Sequence, residues 1–142
     1  MIEGVKLLEV PRFSDERGTL TQIFEEEKEL PKARRIYIVK NWNQSTVRAF
    51  HKNFSETKYF YVISGAVKFV LVDDRQKSST YRQKNTFVLT SEKREVLIVP
   101  PEVYNGWKAL TDNAVLLGIA NTTMKEHRDE RVAHDSFEVN WR

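Results

Sequence analysis

The stretch Tyr59 to Val72, read Y-F-Y-V-I-S-G-A-V-K-F-V-L-V, decides the fold class. It is apolar, rich in β-branched and aromatic side chains, and interrupted only at Ser64-Gly65. That pattern predicts two strands joined by a tight turn, a hairpin. Upstream, R-I-Y-I-V-K at Arg35 to Lys40 is a second clear strand signal, and V-R-A-F-H-K-N at Val47 to Asn53 a third. Downstream, Thr80 to Leu89 contains another strand. E-V-L-I-V-P-P then ends a strand at a proline pair, which cannot donate to a ladder. Trp107 to Leu110 and Ala114 to Ala120 read as the last core strands. Near the N-terminus, K-L-L-E-V predicts an edge strand and T-L-T-Q-I-F at Thr19 to Phe24 a half-buried one, with turn chemistry at Ser14, Asp15 and Gly18 between them. Two short helical turns are expected, one in the acidic segment ending at Leu30 and one in M-K-E-H-R-D-E-R from Met124. Short strands at intervals of about ten residues, with little helix, predict an all-β sandwich or barrel of jelly-roll type, folded as a single domain over residues 1–142.

Composition narrows the function classes. The formal charge of +3 is mild, and acids interleave with lysines and arginines except at Glu25 to Glu29 and Lys32 to Arg35. A surface of mixed sign argues against nucleic acid as a partner, whereas a modest cationic excess suits a small anionic ligand such as a nucleotide diphosphate. There is no cysteine, which excludes disulfides and thiolate metal sites. No apolar run approaches a membrane span, and M-I-E-G-V-K lacks a signal-peptide core. A cytoplasmic protein without membrane contact is the expectation.

Several motifs in order carry a resemblance: D-E-R-G-T-L at Asp15 to Leu20, V-R-A-F-H at Val47 to His51, Lys58 seven residues before Gly65, P-P-E-V-Y-N-G-W from Pro100, and H-D-S-F-E-V-N-W from His134. Together they resemble the dTDP-4-dehydrorhamnose 3,5-epimerase family, small cupins acting on nucleotide-linked keto-sugars. The resemblance implies a cupin-type jelly-roll barrel, pairing as a homodimer through N-terminal strands such as Met1 to Val10. It implies a nucleotide-diphosphate sugar as ligand, and work in surface-polysaccharide or deoxysugar synthesis. Residue by residue, it puts His51 at the general base and Asp135 at the carboxylate partnering that base. It puts Arg17 and Arg48 at diphosphate contacts and Lys58 at a substrate contact. Two positions depart from the family pattern. Its general-acid tyrosine falls on Gly118, and a second histidine falls on Asn105.

The chemistry of the residues agrees with that assignment. Histidine titrates near working pH, and a carboxylate on its other nitrogen fixes the tautomer, so His51 with Asp135 is a candidate for abstracting a proton next to a ketone. Arg17, Arg48 and Lys58 suit phosphate or a developing enolate oxygen. Asn41, Asn43 and Asn105 are candidate hydrogen-bond partners for sugar or base. Inversion needs a second proton donor. Tyr104 is the candidate, because strand alternation turns Tyr59 and Tyr61 away from the face that carries Lys58 and Phe60. A 3,4-ketoisomerase, which moves a proton on one face and needs one base, is the alternative: R-A-F-H-K-N resembles that group's R-G-F-H-x-H except at Asn53. A catalytically silent sugar-nucleotide-binding cupin is the other. Many cupins bind metal through an H-x-H…E…H set. His51, Asn53, Glu56 and Asn105 stand at the corresponding positions, a poor transition-metal set, so neither metal nor cofactor is expected. His127 and His134 read as surface residues of the charged tail.

Overall fold

A computed structural model describes residues 1–28 and 30–142. Its strands are β1 (Lys6–Glu9), β2 (Arg12–Asp15), β3 (Gly18–Thr21), β4 (Arg35–Val39), β5 (Val47–Asn53), β6 (Lys58–Ser64), β7 (Ala66–Asp73), β8 (Lys84–Thr90), β9 (Glu95–Val99), β10 (Val103–Ala109), β11 (Val115–Ala120) and β12 (Asp129–Arg131). Two five-stranded antiparallel sheets, β1-β9-β6-β11-β4 and β12-β5-β10-β7-β8, face each other, and β2-β3 forms a separate hairpin. This is the all-β, cupin-type sandwich that the strand pattern and the resemblance predict. Among the described residues there is no helix, so none is long and apolar enough to cross a membrane. The stretch from Met124 forms a turn, with Glu126 bonded to Thr123 and His127 to Met124, rather than a short helix, and then leads into β12. In the acidic segment residues 22–27 are irregular and the Leu30 amide donates to the Glu27 carbonyl at 3.3 Å, while Glu29 lies outside the described residues.

The deciding stretch corrects its own reading. β6 pairs with β9 and β11, whereas β7 pairs with β8 and β10, so the two are not a hairpin. Ser64-Gly65 is a corner that carries the chain from one sheet to the other. The near-continuous apolar character of both strands is the reason, since each is buried on its inner and outer faces. Gly65 turns the corner with φ +74°, where a side chain would be strained.

Strand alternation sorts the interior. Phe60, Val62, Leu97 and Leu116 of one sheet pack against Phe69, Leu71 and Trp107 of the other. On the outside of the first sheet, Tyr59 and Tyr61 pack with Val96, Ile98 and Ile119 beneath Ile23 and Phe24. On the outside of the second, Phe50, Val70, Val72 and Tyr104 lie under Val132, Phe137, Val139 and Trp141 of the C-terminal segment. The sandwich therefore has a central core and a covered layer on each outer face.

Asp73, at the end of β7, is fully buried and locks the following loop to the N-terminus. It accepts from Arg75 Nε at 2.8 Å, Ser78 Oγ at 2.7 Å and Thr80 Oγ1 at 2.6 Å. Arg75 in turn donates to the Glu3 carbonyl, and the Glu3 amide donates to Thr80 Oγ1 at 3.0 Å. Burial alone would raise the Asp73 pKa, but the bonds from Arg75, Thr80 and Ser78 outweigh it and hold the carboxylate well below its usual range. Its stabilising contribution is therefore complete above pH 3.8, the ordinary value, and is lost as the pH falls below it. Asp73→Ala should cost about 3 kcal/mol in urea unfolding at neutral pH, because it strands a partly buried guanidinium. The gap between variant and parent should narrow on acidification.

Candidate active site

Between the sheets lies a cavity of about 410 Å³, walled by β4, β6 and β11 on one side and by β5, β10 and β12 on the other. Arg48 and His51 both line it, although residues three apart on a regular strand point to opposite faces. The register explains this. Asn105 pairs with His51 and Trp107 with Arg48, so β5 holds an extra residue where the ladder is irregular. A bulge of this kind turns both side chains inward.

The His51 ring is partly buried, with Nδ1 3.7 Å from Asp129 Oδ2. Asp129 comes from β12, whose register sets Asp129 beside Asn53 and Arg131 beside His51. Burial lowers the His51 pKa, Asp129 opposes that, and the charges of Lys58 and Arg131 reinforce it. The imidazole is thus neutral near pH 7. Arg131 Nε donates to Asp129 Oδ2 at 2.8 Å, while Asp129 Oδ1 is buried with no hydrogen-bond partner among the described residues.

On the opposite wall a second charged group surrounds Glu56, whose side chain is fully buried. Arg35 Nη2 approaches Glu56 Oε2 at 3.2 Å, His127 Nδ1 approaches the same oxygen at 3.1 Å, and the Thr122 hydroxyl donates to it. Lys58 Nζ lies 3.7 Å from Oε1. Burial would raise the Glu56 pKa, yet Thr122, His127, Lys58 and Arg35 together bring it below the ordinary value. Burial lowers the Lys58 pKa, opposed by Glu56 and Asp129. At the cavity mouth, Arg48 Nε donates to Asn41 Oδ1 at 2.6 Å, and the guanidinium lies 5.9 Å from the Trp107 ring centroid. Among the described residues no carboxylate pairs with Arg48. No group of three His, Cys, Asp or Glu among them is placed to hold a metal ion.

Of the residues singled out from sequence, His51, Arg48, Lys58 and Asn105 meet in this cavity, and Asn41 positions Arg48. Asn105 Nδ2 donates to the His51 carbonyl at 3.1 Å. The others lie elsewhere. Asp135 is exposed in a turn near Val47 and Lys108, and Asp129 takes the place beside His51. The reason is that the chain runs antiparallel to β5 from Asp129 and stays bonded to it only as far as Val132, before it reaches Asp135. Tyr104 points to the outer face, donating to Glu130 Oε2, because its neighbours Val103 and Asn105 take the inward positions of β10. Asn43 closes its own turn by accepting from the Ser45 amide at 2.8 Å. Arg17 sits at the tip of the β2-β3 hairpin, paired with Asp15 at 2.6 Å and 84% exposed. His127, expected on the surface, lines the cavity.

Sequence reasoning passed over Arg35, Tyr37, Asp129 and Arg131. The signal was present as period two. Arg35, Tyr37 and Val39 alternate with Ile36 and Ile38, and His127, Asp129 and Arg131 alternate in a tail whose charge masked the pattern.

Comparison with known proteins now bears on this arrangement. The sequence profile of dTDP-4-dehydrorhamnose 3,5-epimerase matches residues 1–142. The chain belongs to that family. It is 26% identical over 141 residues to the probable low-salt glycan biosynthesis epimerase Agl13 of Haloferax volcanii, covering 94% of this chain and 89% of that protein. It is 24% identical over 133 residues to the spore coat polysaccharide biosynthesis protein SpsL of Bacillus subtilis, covering 92% and 85%. Its fold superimposes with a TM-score of 0.83 on the crystal structure of dTDP-4-dehydrorhamnose 3,5-epimerase from Bacillus anthracis with TDP and PPi bound, at 22% identity and covering 93% and 80%.

Glu56 holds Arg35, Lys58 and His127 together, so Glu56→Gln should lower stability by about 3 kcal/mol. Thr122→Val, which removes one bond to the same carboxylate, should cost about 1 kcal/mol. Chemical denaturation of the two variants checks the ranking.

Proposed function

We propose that this protein is an enzyme that abstracts a proton next to the ketone of a nucleotide-linked 4-keto-6-deoxysugar and inverts that carbon, in surface-polysaccharide or deoxysugar synthesis. The observation that carries this reading is a neutral imidazole, His51, beside a partly buried carboxylate, Asp129, in a cavity otherwise rich in cations. Nε2 takes the carbon-bound proton, and Asp129 then faces the imidazolium it stabilises. The enolate oxygen left behind needs a positive partner. Lys58, held toward the cavity by Glu56, supplies it. Arg48, which pairs with no carboxylate among the described residues, suits the diphosphate at the mouth. The unpartnered Asp129 Oδ1 is an acceptor for a sugar hydroxyl. The names borne by relatives in glycan and spore-coat polysaccharide synthesis support the pathway class. The 3,4-ketoisomerase alternative gains nothing from Asn53. Its Oδ1 accepts from the Ser55 and Glu56 amides and its Nδ2 meets His127, a structural role.

The protein acts, in this proposal, as a homodimer. β1 is the edge strand of its sheet, paired with β9 on one side, so Met1 to Val10 and the β2-β3 hairpin that follows are the elements that would meet a second copy. Phe13 and Leu20 on that hairpin are 63% and 62% exposed, which a second copy would cover while bringing Arg17 to its cavity.

With a dTDP-linked 4-keto-6-deoxyhexose in deuterated water, NMR should show solvent deuterium entering beside the ketone and an epimeric product. A 3-keto product would establish isomerisation instead, and binding without either reaction would establish the silent module. His51→Ala should lower turnover at least about 100-fold while leaving nucleotide binding intact. The acid limb of kcat/KM should lie below 6.5, the ordinary histidine value, because the base form persists to lower pH when its pKa is depressed. Light scattering should give a dimer that Phe13→Glu/Leu20→Glu dissociates. A monomeric parent would remove Arg17 from the site.

A further inference from the structure

Inverting a carbon requires a proton to arrive on the face opposite the one from which it left. His51 stands on β5 in one sheet, so the donor must come from the facing sheet, from β4, β6 or β11. The tyrosine expected from the family pattern is missing, since Gly118 occupies its position on β11. Gly118 is not an empty place, however. It pairs with Tyr37 of the adjacent strand β4, and the Tyr37 ring lies across it. A Cβ built on Gly118 would meet Tyr37 Cε2 and Cζ at 2.3 Å and the hydroxyl at 2.7 Å. The absence of a side chain at 118 is what lets the neighbouring strand lay its phenol there.

The other tyrosines are committed elsewhere. Tyr59 donates to the Pro31 carbonyl at 2.8 Å, Tyr61 accepts from Arg12 at 3.3 Å and Tyr104 donates to Glu130, all on the outer faces. Tyr81 lies in the loop after β7, against Arg82. Tyr37 is the one tyrosine lining the cavity among the described residues, and its hydroxyl is not engaged by any hydrogen bond found within them. The remaining polar groups on that wall are less suited: His127 is bound to Glu56 and Asn53, and Lys58 is drawn to Glu56 as a cation.

We propose that Tyr37 is the proton donor to the face opposite His51, a catalytic role supplied from β4 in place of one on β11. The proposal rests on the epimerase reading above. The step balances without a further reactant. His51 Nε2 takes the carbon-bound proton as the C–H pair becomes the enolate. The enolate carbon then takes the Tyr37 hydroxyl proton on its other face, leaving phenolate and imidazolium, which exchange one proton through solvent. Burial and the Glu56 charge raise the Tyr37 pKa to about 12, against the pull of Arg35, whose guanidinium is 5.6 Å from the ring centroid. The phenol is thus fully protonated at neutral pH and ready to donate.

Tyr37→Phe keeps the ring over Gly118 and tests the proposal directly, with the dTDP-linked 4-keto-6-deoxyhexose in deuterated water as probe. The expected result is deuterium incorporation that continues with retained configuration, because His51 still removes and returns a proton on its own face. Formation of the inverted product should fall at least about 100-fold, the scale of a lost general acid. Inversion within a few-fold of the parent would overturn the role of Tyr37 while leaving the epimerase reading standing. Loss of exchange together with inversion would also overturn it, since the phenol would then serve the enolate oxygen. A parent protein showing neither exchange nor inversion would overturn the epimerase reading, and this role with it.

Discussion

A buried carboxylate can exist only where enough donors converge on it, and Glu56 makes that demand at the centre of this molecule. Its four partners come from β4, from β6, from Thr122 two residues after β11 and from the segment before β12. The cavity wall is therefore not a set of independent side chains. It is a shell whose members satisfy one charge, which is costly to leave unpaired in a low-dielectric interior. The same charge sets two protonation states. It opposes the loss of the Lys58 proton that burial favours, and it discourages ionisation of the Tyr37 phenol. One interaction thus links structural integrity to the acid–base character of the wall facing His51.

The two walls divide the chemistry by sheet. His51 and Asp129 belong to one sheet, and Arg35, Tyr37 and Lys58 to the other, with Glu56 in the connection between β5 and β6. A sandwich does this naturally, because its two facing surfaces meet across a gap and each contributes its own side chains to the cavity. What is particular to this chain is the irregular β5-β10 ladder, which lets Arg48 and His51 share a face despite their odd spacing. Without the extra residue on β5, one of the two would be turned into the layer beneath Phe137 and Trp141.

The fold class was legible because strand periodicity and turn residues survive in a single sequence. Lys58 with Phe60 inward and Tyr59 with Tyr61 outward followed from alternation alone. The corner at Ser64-Gly65 was not legible as a corner, since a turn joining two strands looks the same whether they pair with each other or not. Only the burial of both strands on both faces separates the cases. The carboxylate beside His51 was missed for a related reason. Asp129 and Asp135 are both in a charged tail, and choosing between them requires the register of β12 on β5, a contact across more than seventy residues of chain. Tyr104 failed because a strand offers its odd and even residues to different worlds, and Asn105 had already taken the inward place. Tyr37 was hidden differently: its significance lies in the vacancy at Gly118, which belongs to another strand.

The C-terminal segment carries a consequence for the site. β12 is three residues long, and Asp129 reaches His51 only because Val132 exchanges backbone bonds with Phe50 at 2.9 and 3.1 Å while Phe137, Val139 and Trp141 pack on the outer layer. The position of an inward-facing carboxylate is thereby secured by apolar contacts on the far side of the sheet. The carboxylate's place beside His51 is therefore tied to the covered outer layer: loosening Phe137, Val139 or Trp141 would release the strand that carries Asp129, at a distance from the cavity itself.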